Sequence, residues 1–106
     1  MRDWSEAQTH VIADRAQALG DPTRVRIIAA LARGEHPVRQ IAALVKASES
    51  AVSRHLQVLH RAGFVRRRRE ASTVMYSLAS PALLRWISCL AGARPRMGTF
   101  GPPTRR

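Results

Sequence analysis

Cysteine is nearly absent from this sequence, and its scarcity excludes two kinds of stabilising site. The single thiol, Cys89, has no partner for a disulfide within the chain, and a structural zinc site made of several thiolates of one chain is excluded too. Long apolar runs are also missing, since none approaches the roughly 18 residues that a membrane-spanning helix requires. The first residues mix both charge signs and contain no apolar signal segment. We therefore expect a cytoplasmic protein that does not enter a membrane.

Acidic residues are also few, with seven against eighteen basic ones, and the formal net charge is +11. The seven stand singly, and the sequence contains no nucleophile–base pair, carboxylate dyad or phosphate-binding glycine loop. We therefore expect no enzymatic activity and no cofactor. A basic chain attracts polyanions, which leaves nucleic acid and an anionic membrane surface as candidate partners on composition alone.

The length of 106 residues allows one domain with a single core. Residues 93–106 contain proline, glycine and arginine but few large apolar side chains, a composition typical of a disordered segment. We therefore predict a folded domain over residues 1–92 and a disordered basic tail over residues 93–106.

Apolar periodicity and helix-capping residues predict a mainly helical fold with a small β-hairpin. A first helix is expected over about residues 3–18, and Asp21 caps the start of a second one. His36 is expected in a loop before two further helices. The apolar period then changes from 3.6 to 2 over residues 64–78, which predicts two strands, and Ser80 caps a last helix. The predicted order is ααααββα.

The third and fourth predicted helices have the helix-turn-helix pattern. A short helix ends near Val45, a turn spans residues 46–49, and a longer helix with a polar outer face follows. On that face Arg54 is suited to bind guanine O6 and N7 in the major groove, and Gln57 is suited to bind adenine. The same pattern by itself fits a solvated helix face. The supporting helix before it and the basic hairpin after it favour DNA binding.

Serine residues near the start of the fourth helix complete the predicted set of DNA contacts on that helix. Ser48 is a good N-cap, and we include it with Ser50 and Ser53, whose hydroxyl groups are expected to contact phosphates.

The four consecutive arginines of residues 66–69 lie on a predicted strand, so their side chains alternate between its two faces. We expect Arg67 and Arg69 to point outward and to contact backbone phosphate or the minor groove, as a wing does. The alternative is that the charges protect an edge strand from aggregation. Both interpretations can hold together.

Three sequence blocks in this order and spacing resemble the ArsR/SmtB repressor family. The blocks are ALGDPTR at residues 18–24, SAVSRHLQVL at residues 50–59 and AGFV at residues 62–65. The resemblance covers about residues 10–90. It implies a winged helix-turn-helix fold, a recognition helix at residues 49–62, a homodimer formed through the first and last helices, and release from DNA when an inducer binds.

The resemblance also implies positions for the dimer interface. The candidate interface residues are Trp4, Val11, Leu83, Trp86, Ile87 and Leu90. The two tryptophans have an alternative role, since either side chain is large enough to complete the core of a single subunit.

The sequence departs from the family at both of its familiar metal sites. The Cys-x-Cys pair of metal-sensing members is replaced by Pro37 and Arg39, and residues 80–92 contain no Asp, His or Glu. We therefore predict no metal site of either type. His10 and Asp14, four residues apart on the first helix, are candidates only if a partner subunit supplies more ligands.

Cys89 is one helical turn from Trp86, on the same side of the last helix. It is either a small apolar residue at the dimer interface or a redox or thiophilic site next to its symmetry mate. One thiol per chain excludes the intrachain disulfide of two-cysteine family members.

These observations predict a homodimeric, sequence-specific transcriptional repressor that binds a palindromic operator in double-stranded DNA, with half-sites about one helical turn apart. The inducer is not identified, and thiol-dependent sensing through Cys89 is one possibility. One alternative is an architectural or RNA-binding basic protein without sequence selectivity. Another is a winged-helix domain that serves protein interaction only.

Overall fold

Five helices and three short strands make up residues 3–92, the part of the chain that the computed structural model describes. The elements in chain order are α1 (Glu6–Ala18), α2 (Pro22–Leu31), β1 (His36–Pro37), α3 (Val38–Val45), α4 (Glu49–Arg61), β2 (Val65–Glu70), β3 (Thr73–Leu78) and α5 (Ala82–Leu90). The predicted fold class and the order ααααββα are confirmed, with β1 as an addition. The predicted tail over residues 93–106 lies outside the described residues. Within residues 3–92 no helix has the length and apolar character needed to cross a bilayer.

Helix α1 begins three residues later than expected, at Glu6 and not at Asp3. The reason is a capping box, in which the Ser5 hydroxyl accepts from the backbone N–H of Gln8 at 3.0 Å and the Gln8 side chain accepts from the Ser5 N–H at 2.9 Å. Trp4, expected on the helix stripe, therefore precedes the helix.

Strand β1 corrects the expectation that His36 lies in a loop. It pairs antiparallel with β3, with His36 opposite Tyr76 and Pro37 opposite Met75, and the sheet order is β1-β3-β2. A strand of two residues that includes a proline is too short to show a period of two. The small sheet is thus fastened to the segment between α2 and α3.

The core lies between α2, α3, α4 and one face of the sheet, and it is closed by the end of α1 and the start of α5. Burial of each large aliphatic side chain contributes roughly 1.5–3 kcal/mol. The fully buried side chains are Ile27, Ile28, Ile41, Val52, Leu56 and Leu59. Within residues 3–92 no polar or charged side chain is buried.

Helix α5 begins at Ala82, one residue later than the Ser80–Pro81 capping pattern predicts. The Ser80 hydroxyl nevertheless accepts from the backbone N–H of Ala82 at 3.2 Å. Leu83 then inserts into the core, where only 5% of it is exposed. The first turn of α5 is therefore part of the domain core.

Candidate nucleic-acid interface

The polar face of α4 is held at the surface because its opposite face is buried in the core. The buried side chains are Val52, Leu56 and Leu59. These three residues match the predicted apolar stripe. On the opposite face Ser50, Arg54 and Gln57 are exposed, and Ser53 is half-buried. Four of the predicted DNA contacts therefore lie together on one helix, away from the core.

The turn between α3 and α4 contains a residue in the left-handed backbone region. Lys46 ends α3 with φ 59° and ψ 50°, a conformation that glycine adopts more readily than lysine. The backbone N–H of Ala47 donates to the carbonyl of Ala42 at 3.1 Å. This arrangement ends α3 and lets α4 start in a new direction at Glu49, three residues after Lys46.

The N-terminus of α4 is capped as predicted. The Ser48 hydroxyl accepts from the backbone N–H of Ala51 at 3.1 Å, and it lies 3.4 Å from the hydroxyl of Ser50. Ser48 therefore has a structural role in starting the helix. Its contact with DNA stays a prediction.

A polar cluster that the sequence did not predict joins the start of α2 to the middle of α4. The Arg24 Nε donates to His55 Nδ1 at 3.1 Å, and Arg24 Nη1 donates to the carbonyl of Ala18 at 3.1 Å. On the other side of the ring, His55 Nε2 lies 3.7 Å from Asp21 Oδ2. Because His55 directly follows Arg54, this cluster fixes α4 close to a predicted base-reading side chain.

Asp21 is also the N-cap of α2, and both roles affect its ionisation. Its carboxylate accepts from the backbone N–H groups of Thr23 at 2.9 Å and of Arg24 at 3.1 Å. Partial desolvation raises the pKa of this carboxyl, but the backbone hydrogen bonds and the nearby His55 and Arg24 outweigh it, so the pKa is lowered from its usual value.

The hairpin of β2 and β3, called the wing below, has a register that corrects one prediction. Arg67 lies opposite Tyr76 and Arg69 opposite Val74, so both share the sheet face of the buried Tyr76. They were expected on the outer face. Phe64 and Val65 are both buried, and the sequence alone does not show which of the two sets the alternation. Both arginines are nevertheless exposed.

On the outer face of the wing, Arg68 is held by two carboxylates. Its Nε and Nη2 donate to the two oxygens of Glu35 at 2.8 and 2.7 Å, and Nη2 also lies 3.1 Å from Glu70 Oε1. The hydrogen bond donated by Arg68 lowers the pKa of the Glu35 carboxyl. The same hydrogen bond and the negative charge of Glu35 raise the pKa of Arg68. The pair therefore joins the wing to the residue before β1.

The remaining cations of this surface are available for a polyanion. Within residues 3–92, Arg54, Arg67 and Arg69 make no hydrogen bond or ion pair with another side chain. The structure thus distinguishes an engaged arginine, Arg68, from neighbouring arginines with unused donors.

The predicted dimer-interface residues divide into two groups. Trp4, Val11, Trp86 and Leu90 are 53%, 45%, 58% and 61% exposed, and Ile87 is half-buried. Leu83, in contrast, packs in the core of its own chain and has almost no surface left for a second subunit. Ile12, which was not in the predicted set, is 46% exposed next to Val11.

No group of three or more His, Cys, Asp or Glu side chains within residues 3–92 is arranged to hold a metal ion. His10 and Asp14 both lie on α1 and are exposed. Cys89 is a free thiol exposed near the end of α5. In one subunit, therefore, its side chain is not buried.

Sequence reasoning missed Arg24, Asp21 and Glu35 as members of the polar clusters beside the candidate interface. The sequence signal for Asp21 was strong, but it indicated a helix cap and not a contact with α4. Glu35 and Arg68 are 33 residues apart, so no local sequence pattern connects them. The likeness of ALGDPTR to the family was the only signal that marked Arg24.

Known regulatory proteins are similar in sequence to most of this chain. A sequence profile described as bacterial regulatory protein, arsR family, matches residues 21–67, from α2 into the wing. A transcriptional repressor SmtB homologue of Synechocystis is 46% identical over 72 residues, which are 68% of this chain and 54% of that protein. This chain therefore spans little more than half the length of that relative. The HTH-type transcriptional regulator CmtR of Mycobacterium tuberculosis is 39% identical over 80 residues, 76% of this chain and 68% of CmtR.

A solved structure has the same fold. The homodimeric winged helix-turn-helix DNA-binding domain of a possible ArsR-family regulator from Mycobacterium bovis superposes with a TM-score of 0.72 at 27% identity, covering 91% of this chain and 95% of that one. The predicted winged helix-turn-helix fold is thereby confirmed. Together the profile, the relatives and the structure show that the chain belongs to the ArsR family of bacterial regulatory proteins.

Proposed function

We propose that this protein is a transcriptional repressor that binds an operator in double-stranded DNA as a homodimer. The observation that carries the proposal is the pairing of an exposed polar face on α4 with exposed arginines on the wing of the same domain. A helix of this kind fits the major groove of DNA, and a basic hairpin beside it suits the adjacent phosphates. Such a regulator acts where bacterial DNA is, in the cytoplasm.

The two surfaces have different tasks in this proposal. Arg54 and Gln57 read base edges, because a guanidinium matches guanine and a carboxamide matches adenine. Ser50 and Ser53 contact phosphates near the start of α4. Arg67 and Arg69 hold the DNA backbone without selecting a sequence.

The exposed apolar residues of α1 and α5 support the homodimer. Large apolar side chains such as Trp86 and Leu90 are more than half exposed in one subunit, and burying such side chains against a second subunit favours association. The Mycobacterium bovis domain with the same fold is homodimeric. A two-fold symmetric dimer needs an imperfect palindrome, with half-sites about one helical turn apart.

A mobility-shift titration on the DNA upstream of the protein's own gene tests this function. We expect a complex that survives an excess of unrelated competitor DNA and that shows dimer stoichiometry. Competition that is equally effective at every sequence would instead indicate an architectural or RNA-binding protein, which the charge of +11 would also suit. Absence of any complex at low salt would leave only a role in protein interaction.

The same titration with oxidant and reductant tests whether Cys89 takes part in sensing. Its exposure in the subunit allows reaction with an oxidant or a thiophilic ligand. If oxidant releases the wild type but not Cys89→Ser, the thiol is the sensor. Equal release of both proteins would assign no role to it.

A further inference from the structure

A cleft of about 410 Å³ lies between the end of α1, the start of α2 and the last turns of α4. Its polar lining residues are Asp14, Gln17, Arg24 and Arg61, and Val58 contributes apolar surface. A volume of this size is within the range of small-molecule sites, roughly 300–1,000 Å³. The cleft therefore combines room for a small molecule with two guanidinium groups.

The charges of the cleft are only partly used by the protein. Within residues 3–92, the side chains of Arg61 and Asp14 make no hydrogen bond or ion pair with another residue. Arg24 uses Nε and one N–H of Nη1, so three of its five N–H groups remain, one on Nη1 and two on Nη2. Two positive groups face one negative group, which favours a ligand with a single negative charge.

We propose that this cleft binds a small organic monocarboxylate, which is the inducer of the repressor proposed above, and this inference rests on that function. The carboxylate takes the unused N–H groups of Arg61 and Arg24, since guanidinium groups bind carboxylates with charge-assisted hydrogen bonds. The short apolar body lies against Val58 and Ala62. Asp14 repels a second negative charge, which disfavours dicarboxylates.

Arg24 connects the cleft to the DNA-binding surface. The guanidinium that lines the cleft also donates to His55 on α4, the neighbour of Arg54. A carboxylate that draws this guanidinium toward itself weakens the contact with His55 and so changes the position of α4. Ligand binding and operator binding therefore oppose each other, and linkage requires each to weaken the other by the same factor.

The test uses benzoate as the probe and the full chain, with benzamide as the uncharged control and phthalate as the dianion. An NMR titration of the DNA-free protein should shift the amides of Val58 and Ala62 with benzoate and leave them unchanged with benzamide. Arg61→Gln should weaken benzoate binding by about tenfold or more, the effect of losing one charge-assisted contact. Arg33→Gln, which removes the same charge from a distant groove between α2 and α3, should not. Asp14→Asn should narrow the preference for benzoate over phthalate.

Operator binding supplies the second measurement. Benzoate should lower the operator affinity of the wild type and of Arg33→Gln but not that of Arg61→Gln. Equal binding of benzamide, or equal loss in both arginine variants, would overturn the site. Benzoate binding without any change in operator affinity would overturn its role as inducer. If the proposed repressor function is wrong, the result is different. No operator complex would then form even in the absence of benzoate, while the NMR titration would still show whether benzoate binds in the cleft.

Discussion

Arg24 Nε lies 3.1 Å from Nδ1 of His55 and donates a hydrogen bond to it. The other ring nitrogen of His55, Nε2, faces the carboxylate of Asp21 at 3.7 Å. The start of α2 thus contacts both ring nitrogens of a side chain on α4 and holds that side chain in place. Residues outside the predicted set of DNA contacts therefore help to place α4, which carries four of the predicted contacts.

Asp21 makes stability sensitive to acid. Because its pKa is lowered in the folded chain, the carboxylate contributes stability above the unfolded value of about 3.9, and this contribution is lost as the pH falls through the lower folded value. Urea unfolding followed by circular dichroism should therefore show declining stability below about pH 4. In Asp21→Asn, which keeps a good cap without the charge, the part of the decline due to Asp21 should disappear. An unchanged decline would assign the acid sensitivity to other carboxylates, such as Glu35.

Arg54 is expected to determine sequence selectivity. Arg54→Ala should cost roughly 1–3 kcal/mol of operator binding and should relax selectivity at one base pair in each half-site. Binding to a set of operators with single substitutions measures this. A uniform loss across all operators would show that Arg54 contacts phosphate and not a base.

Two adjacent arginines of the wing should differ in their response to salt. Arg67→Ala should lower the slope of log affinity against log salt by about one unit, because one phosphate contact is lost. Arg68→Ala should change the slope less, since Glu35 already holds that guanidinium with two hydrogen bonds. Glu35→Gln should then release Arg68 for DNA and raise affinity. Identical slopes for the two alanine variants would contradict this division.

The left-handed conformation of Lys46 should make glycine favourable there. Lys46→Gly should raise the free energy of unfolding by up to about 1 kcal/mol, because glycine avoids the steric cost of a positive φ. Ala43→Gly, at an exposed position inside α3, the helix that Lys46 ends, should instead lower the free energy of unfolding by about 1 kcal/mol. Chemical denaturation compares the two, and destabilisation by both would refute the prediction.

Leu90 should be required for the dimer. Leu90→Asp places a charge on a residue that is 61% exposed in one subunit, and we expect sedimentation to show monomers at concentrations where the wild type is dimeric. Leu44→Asp is the matched control, because Leu44 is 52% exposed but lies on α3. A dimer that persists in Leu90→Asp, or is lost equally in Leu44→Asp, would exclude α5 as the specific interface.

The sequence was sufficient to predict structural features that depend only on residues close together in the chain. The caps at Asp21 and Ser48 and the apolar stripe of α4 were predicted because their signals repeat within one or two turns. The capping box at Ser5 was a signal of the same kind, and it was missed because the stripe through Trp4 suggested an earlier start.

Features that depend on distant contacts were not predictable in this way. The pairing of His36 with Tyr76 and the hydrogen bond from Arg24 to His55 each join residues more than 30 positions apart. The sheet face on which Arg67 lies depends on whether Phe64 or Val65 sets the alternation of side chains along β2, and the sequence does not show which. The helix and the hairpin that carry the predicted DNA contacts could therefore be predicted from the sequence, whereas the direction in which the wing arginines point could not.

The two faces of helix α4 have different functions and different kinds of side chain. One face consists of aliphatic side chains that the core fully encloses, and the side chains that we expect to select the operator lie on the other face, where Arg54 and Gln57 are exposed. The identity of the exposed side chains can therefore change without a cavity or a buried charge, the usual causes of large destabilisation. The same chain is thus a scaffold on which a new operator preference can be selected by exchanging a few surface residues while the fold is retained.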